Sequence, residues 1–252
     1  MTALHHQITG PEDAPVLVMG GSLGTTLGMW EGQLPLADRL RLVRFDHRGH
    51  GASPVPSEPY EIADLGRDVL ELLDRLDCRR AHYCGLSLGG MVGMWLGAHA
   101  PERIDRLVLL CTAAYMPPAS AWQERISVVR GAGSVEPLAD SVVARWLTPE
   151  FAAAHPDVRE SLRTMLARTP ADGYAACCGA IERMDLRGDL PAIQAATLVI
   201  SGQQDPSTPP EQQQLIAAAI PGARHEIVSP AAHAAAVEQP ERVNQLILEH
   251  LS

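Results

Sequence analysis

The chain has 252 residues, 46% of them apolar, and a formal net charge of −10. That length suits one large α/β domain or two small ones with a substantial buried core. The acidic balance argues against nucleic acid or an anionic membrane as partner, and no apolar run reaches the roughly 18–20 residues that span a bilayer.

All 20 basic residues are arginine. The absence of lysine excludes Schiff-base chemistry, attachment of pyridoxal phosphate and a Walker-type phosphate lysine. The opening residues lack the basic-then-apolar layout of a signal peptide. Five cysteines without regular spacing agree with a reducing compartment, so a cytoplasmic protein is expected. Cys84 and Cys111 read as small core residues in or beside apolar runs. Cys177 and Cys178 are expected on different parts of a helix surface, with no His or further Cys nearby at ligand spacing.

In chain order, Leu4 to Ile8 alternates weakly and predicts an antiparallel strand, turned by Gly10-Pro11-Glu12-Asp13 into the continuous apolar run Val16–Met19. Such a run suits a strand buried on both faces. The loop Gly20-Gly21-Ser22-Leu23-Gly24 follows it, without the G-x-G-x-x-G spacing or the acidic partner of a dinucleotide site. Leu40–Phe45 is the next strand, and Asp46 to Ser53 a glycine-punctuated turn. Its two histidines could ligate a metal, but turn chemistry accounts for its polar residues. Ile62, Leu65, Val69, Leu72, Leu73 and Leu76 recur at helical spacing.

The strand Ala81–Cys84 runs into Gly85-Leu86-Ser87-Leu88-Gly89 and then a long apolar segment without Pro. Strand, sharp turn and helix around G-x-S-x-G are the pattern of a nucleophile elbow. The glycines remove Cβ atoms where strand and helix approach, and the serine stands at a helix N-terminus that favours developing negative charge.

After the strand Leu107–Leu110 the rhythm changes. From about 115 to 189 no strand-like run appears. Helices are expected near Ser120–Arg130, Pro137–Trp146, Asp157–Arg168 and Ala171–Arg183. Strands at Thr197–Ser201 and Arg224–Val228 resume the alternation, and a helix from about Glu241 to Leu251 ends it. Strands alternating with helices predict an α/β fold with a mainly parallel sheet, flanked by helices, with the helical block inserted as a lid.

A serine elbow needs a base and an acid on loops after later strands, in the order Ser, Asp or Glu, His. Asp205 follows Thr197–Ser201 and His233 follows Arg224–Val228. Imidazole suits the base because it titrates near neutral pH, and a carboxylate fixes its tautomer and stabilises the imidazolium. The bland alternatives are a turn residue before Pro206 and a plain loop histidine. His5, His6, His99, His155 and His250 are expected at the terminus or on polar helix surfaces, and His82 and His225 within strands. The oxyanion donors would be the backbone N–H groups of Leu88 and Leu23.

With these residues in place the chain resembles the α/β-hydrolases and, among them, the 3-oxoadipate enol-lactonases. The segments that carry the resemblance are Ser22–Trp30, Phe45–Ser53 and Cys84–Gly90, with Arg145–Thr148 and Gly173–Ile181 in the lid. Gly21-Ser22 stands where most α/β-hydrolases have His-Gly, a departure the enol-lactonases share. Pro230-Ala231-Ala232 precedes His233 where Gly or Ser is usual. The resemblance implies a small lactone carrying a carboxylate, opened to 3-oxoadipate in aromatic-compound breakdown, with no cofactor and no metal. An anionic substrate needs a local cation, and the lid offers Arg125, Arg130 and Arg145; Arg130 and Arg145 are the candidates chosen, with Trp122 and Trp146 as pocket walls. The same triad would also serve another small ester or lactone, or cofactor-free peroxidase chemistry, and some relatives are non-catalytic small-molecule receptors. Self-association is left open.

Overall fold

The computed structural model describes residues 3–57 and 59–252. Seven strands form one sheet: β1 His6–Thr9, β2 Val16–Gly20, β3 Arg41–Phe45, β4 Ala81–Leu86, β5 Ile104–Leu110, β6 Ala196–Gly202 and β7 Arg224–Val228. Their spatial order is β1-β3-β2-β4-β5-β6-β7. Only β1 runs antiparallel, with His6 opposite Phe45; the other pairings are parallel.

The apolar runs are continuous because both sheet faces are covered. Leu17, Met19, Leu42, Cys84, Leu86, Val108, Leu110, Leu198 and Ile200 point to one side and pack with Trp30, Leu36 and Leu246. Their neighbours Val18, Val43, Tyr83, Leu107, Leu109 and Val199 point to the other, against Leu65, Val69 and Val92. The period of two along each strand divides the core into two layers.

Helices α1 Ile62–Arg75 and α2 Leu88–His99 lie on the second side. At the start of α1, the Glu61 N–H donates to Asp64 Oδ2 at 2.9 Å. Between β5 and β6 come α3 Ala119–Ala132, α4 Ala139–Trp146, α5 Pro149–Ala154, α6 Pro156–Ala167 and α7 Ala171–Arg183. The two ends of this helical block meet where the Leu186 N–H donates to the Ala114 carbonyl at 2.9 Å. α8 Pro210–Ala219 connects β6 to β7, and the short α9 Ala235–Glu238 and α10 Pro240–Leu251 close the chain. Among the described residues no helix is long and apolar enough to cross a membrane.

Three places are more buried or more ordered than the sequence alone conveys. α7 is buried over the whole stretch Gly173–Ile181, so Cys177 and Cys178, expected on different parts of the helix surface, both lie in the core. His250 is buried too, its Nε2 at 3.0 Å from the Ala196 carbonyl, because α10 packs onto the sheet. The 3-10 segment Leu27–Asp38, unmarked by any helical period, is held by tertiary contacts: Trp30 is fully buried and the Leu27 N–H donates to Asp46 Oδ1 at 2.6 Å.

Candidate active site

In the strand order, β2 and β4 are neighbours whose connections leave in opposite directions, and crevices in open α/β sheets form at such a switch point, beyond the carboxyl ends of the strands. Ser87 follows β4 there. Its backbone has φ 55°, a left-handed conformation unusual for a residue with a Cβ. Its N–H donates to the Leu110 carbonyl at 2.9 Å and its carbonyl accepts from Met91 N–H at 3.0 Å, so both sides of the turn are fixed. A Cβ on Gly85 would fall into the Gly89 carbonyl, and one on Gly89 into the Gly20 carbonyl. The two glycines therefore let helix α2 and strand β2 close around the serine.

Asp205 and His233 lie on the loops after β6 and β7. His233 Nδ1 donates to Asp205 Oδ2 at 2.8 Å, with both side chains buried. An ionised carboxylate only accepts, so the ring proton sits on Nδ1 and Nε2 is left as the basic nitrogen. Asp205 also accepts from the N–H groups of Ser207 (2.8 Å) and Thr208 (3.1 Å) and from the Thr208 hydroxyl (2.7 Å). Burial by itself would raise this carboxyl; the charge and hydrogen bond of His233, together with the Thr208 donors, outweigh it and hold the group below its ordinary value.

Ser87 and His233 line one cavity of about 230 Å³, with Ser22 and Leu23 on one side and the helical block over it. This is smaller than the ~300–1,000 Å³ of drug-sized sites. Trp122, Arg125, Arg145, Trp146 and Tyr174 complete the wall. Arg130, chosen from the sequence as one of the pocket cations, is exposed on α3 and does not line the cavity. Arg125, five residues earlier, takes that place, since five residues turn a helix through about 140°. Its guanidinium lies 5.0 Å from the Trp122 ring centre and 3.4 Å from the Tyr174 hydroxyl. Arg145 is half-buried; burial, and then the like charge of Arg125, lower its pKa. Neither arginine forms an ion pair among the described residues.

The loop after β2 presents a specific set of free groups. Ser22 N–H meets the Met29 sulfur at 3.3 Å, and Gly24 N–H donates to His50 Nε2 at 2.9 Å. The Leu23 amide between them, and the Leu88 amide that opens α2, have no hydrogen-bond partner among the described residues. Two histidines that the sequence left as turn residues turn out to brace this loop. His50 receives Gly24 N–H, and its Nδ1 donates to the Arg48 carbonyl at 3.1 Å; His47 Nε2 donates to the Gly21 carbonyl at 3.1 Å. The available signal was topological: β2 and β3 are parallel neighbours, so the loops at their carboxyl ends lie side by side. Among the described residues no group of three His, Cys, Asp or Glu side chains could hold a metal.

A serine on a strained turn, a buried histidine–carboxylate pair beside it and two free amides have the composition needed for acyl transfer through a tetrahedral intermediate. A family model for the alpha/beta hydrolase fold matches residues 14–131. The chain is 40% identical over 246 residues to 3-oxoadipate enol-lactonase 2 of Acinetobacter baylyi, covering 97% of this chain and 91% of that protein. The crystal structure of an enol-lactonase from Burkholderia xenovorans superposes with a TM-score of 0.96 at 39% identity, covering 99% of this chain and 96% of that one. That of a hydrolase from Pseudomonas aeruginosa also gives 0.96, at 44% identity over 100% of this chain and 95% of the other. With the elbow at the sheet's switch point and matches that run over nearly the whole of both chains, the protein belongs to the 3-oxoadipate enol-lactonase family of the α/β-hydrolase fold.

Proposed function

We propose that this protein is a serine hydrolase that opens 3-oxoadipate enol-lactone to 3-oxoadipate, with Ser87, His233 and Asp205 as nucleophile, base and acid. Ser87 Oγ attacks the ring carbonyl while His233 Nε2 takes its proton, and Asp205 stabilises the imidazolium. The carbonyl oxygen becomes an oxyanion received by the Leu23 and Leu88 amides. As the tetrahedral centre collapses, the ring C–O bond breaks and the enol oxygen leaves with the proton from His233, then becomes a ketone. An enolate departs more readily than an alkoxide, so this step needs little help from the protein. Water, deprotonated by the same histidine, adds to the acyl-enzyme and releases the carboxylic acid and Ser87.

The observation that carries the choice of substrate is the pair Arg125 and Arg145. Two like charges face one small cavity, and among the described residues no carboxylate lines it against them. Half-buried unpaired guanidinium groups cost free energy unless an anion arrives with the ligand. A lactone with a free carboxylate supplies it, with the carboxylate at the arginines and the ring carbonyl at Ser87; Trp122 and Trp146 then wall the apolar part of the ring.

The test compares Arg125→Gln and Arg145→Gln on the lactone and on a neutral aryl ester. Loss of one charge-assisted hydrogen bond, roughly 1.5–3 kcal/mol, should lower kcat/KM on the lactone about ten- to a hundredfold and leave the ester nearly unaffected. Equal losses on the two substrates would make the arginines structural and remove the case for an anionic lactone.

A further inference from the structure

Each oxyanion donor belongs to a peptide plane whose other end is a carbonyl. In a trans peptide the N–H and the preceding C=O point in opposite directions, so whatever grips the carbonyl aims the N–H. The plane that carries the Leu23 N–H ends in the Ser22 carbonyl. That oxygen accepts from Thr25 N–H at 3.1 Å and from the Thr25 hydroxyl at 2.8 Å. The plane that carries the Leu88 N–H ends in the Ser87 carbonyl, which accepts from Met91 N–H at 3.0 Å and from the Thr112 hydroxyl at 2.7 Å.

The two halves of the site thus share one arrangement, built from unrelated segments. In each, a buried threonine hydroxyl supplies a second, non-helical donor to the carbonyl behind a free amide. Thr25 is 3% exposed and Thr112 is fully buried, so water does not compete for either bond. Both threonines also have contacts away from the serine turn. The Thr25 hydroxyl oxygen lies 3.0 Å from the Met29 sulfur, a weaker acceptor than the Ser22 carbonyl, and the Thr112 backbone is held by its N–H, which donates to the buried Gln213 Oε1 at 3.3 Å. The peptides next to the two planes are tied to each other, since Gly89 N–H donates to the Gly21 carbonyl at 2.9 Å.

We propose that Thr25 and Thr112 are paired positioning residues for the oxyanion hole, each fixing and polarising the peptide whose N–H receives the negative charge. This rests on the assignment of Leu23 and Leu88 as the donors. Two effects act together. The hydroxyl prevents rotation of the plane that would turn the N–H out of the cavity. It also withdraws electron density through the amide, which makes the opposite N–H a better donor, as hydrogen bonds in chains strengthen one another. Both effects grow as charge develops on the substrate oxygen, so they act on the transition state more than on bound substrate.

The experiment uses Thr25→Val and Thr112→Val, which keep the shape and remove the hydroxyl, with Thr25→Ser and Thr112→Ser as hydroxyl-retaining controls. Thr25→Ala and Thr112→Ala repeat it should either Val variant fail to fold. Each is measured for kcat and KM, for inhibition by phenylboronic acid, which forms a tetrahedral adduct on Ser87, and for competition by adipate, which occupies the cavity without that bond. Each Val variant should lose about tenfold in kcat and in boronate affinity, the scale of one hydrogen bond. KM and adipate affinity should hold, and the Ser variants should keep most of the activity. If boronate and adipate affinities fall together, or boronate affinity does not change, the hydroxyls are only structural and the proposal is overturned. If the unaltered protein binds boronate no better than Ser87→Ala does, the assignment of the nucleophile and its oxyanion hole fails first and takes this inference with it.

Discussion

His47 and His50 are buried, and each gives or takes a hydrogen bond with the backbone that holds the Leu23 loop. Burial, then the neighbouring His50, pushes His47 down to about 3, with the Gly21 carbonyl opposing; burial also lowers His50. A histidine whose folded value is depressed stays neutral in the fold, while the unfolded chain takes up the proton near its ordinary 6.5. Below that value the unfolded state binds more protons, so stability falls as pH drops from about 6.5 towards about 3. His47 alone should contribute a slope of about 1.4 kcal/mol per pH unit across that window. Asp205 acts lower: its depressed carboxyl adds stability that is present above its ordinary value and is lost only as pH falls below it. Urea unfolding from pH 7 to pH 5 should therefore show proton uptake on unfolding that is about one proton smaller in His47→Gln. An unchanged slope in that variant would mean His47 is charged or hydrated in the fold.

At the scale of elements, the site depends on how the loop after β7 is joined to the helical block. Glu238, buried on α9, accepts from Ala232 N–H at 2.5 Å with one oxygen and from Thr148 N–H (2.8 Å) and Oγ1 (2.7 Å) with the other. Ala234 N–H donates to the Trp146 carbonyl at 2.8 Å. His233 and the end of α4, which carries Arg145, are thus held on one frame. Glu238→Gln would set an amide NH₂ against one of these N–H donors. The expected cost is about 2 kcal/mol, a fall in Tm of roughly 4–8 °C, with a loss of kcat on both lactone and neutral ester. An unchanged Tm would show that the bridge contributes nothing.

This joint was not legible in the sequence, because 90 residues separate Thr148 from Glu238 and nothing in the segment Arg145–Thr148 points to a partner so far along the chain. The central strands were legible for the opposite reason: two covered faces demand unbroken apolar runs, and β2 and β6 lie within a residue of where those runs predict them. The choice between Arg125 and Arg130 failed because α3 buries only Val129 fully and so shows no clear apolar stripe from which an inward face could be read. α7, buried over most of its length, hides its orientation in the same way.

At the scale of the whole molecule, a chain of net charge −10 that takes an anionic substrate must concentrate positive potential at one place. On the proposed reading the helical block does so, carrying Arg125 and Arg145 to the same cavity that the sheet's carboxyl edge lines with Ser87, His233 and the Leu23 loop. On that reading sheet and insertion have separate tasks: one would supply the reacting groups, the other would select what reaches them. The most direct measurement is the steady-state opening of 3-oxoadipate enol-lactone, followed by its absorbance, for the protein and for Ser87→Ala. The account predicts kcat/KM within the ~10⁴–10⁸ M⁻¹s⁻¹ of ordinary enzymes and a loss on the order of 10⁴–10⁶ in kcat for the variant. Lactone opening at the same rate with Ser87 and with Ala would contradict it.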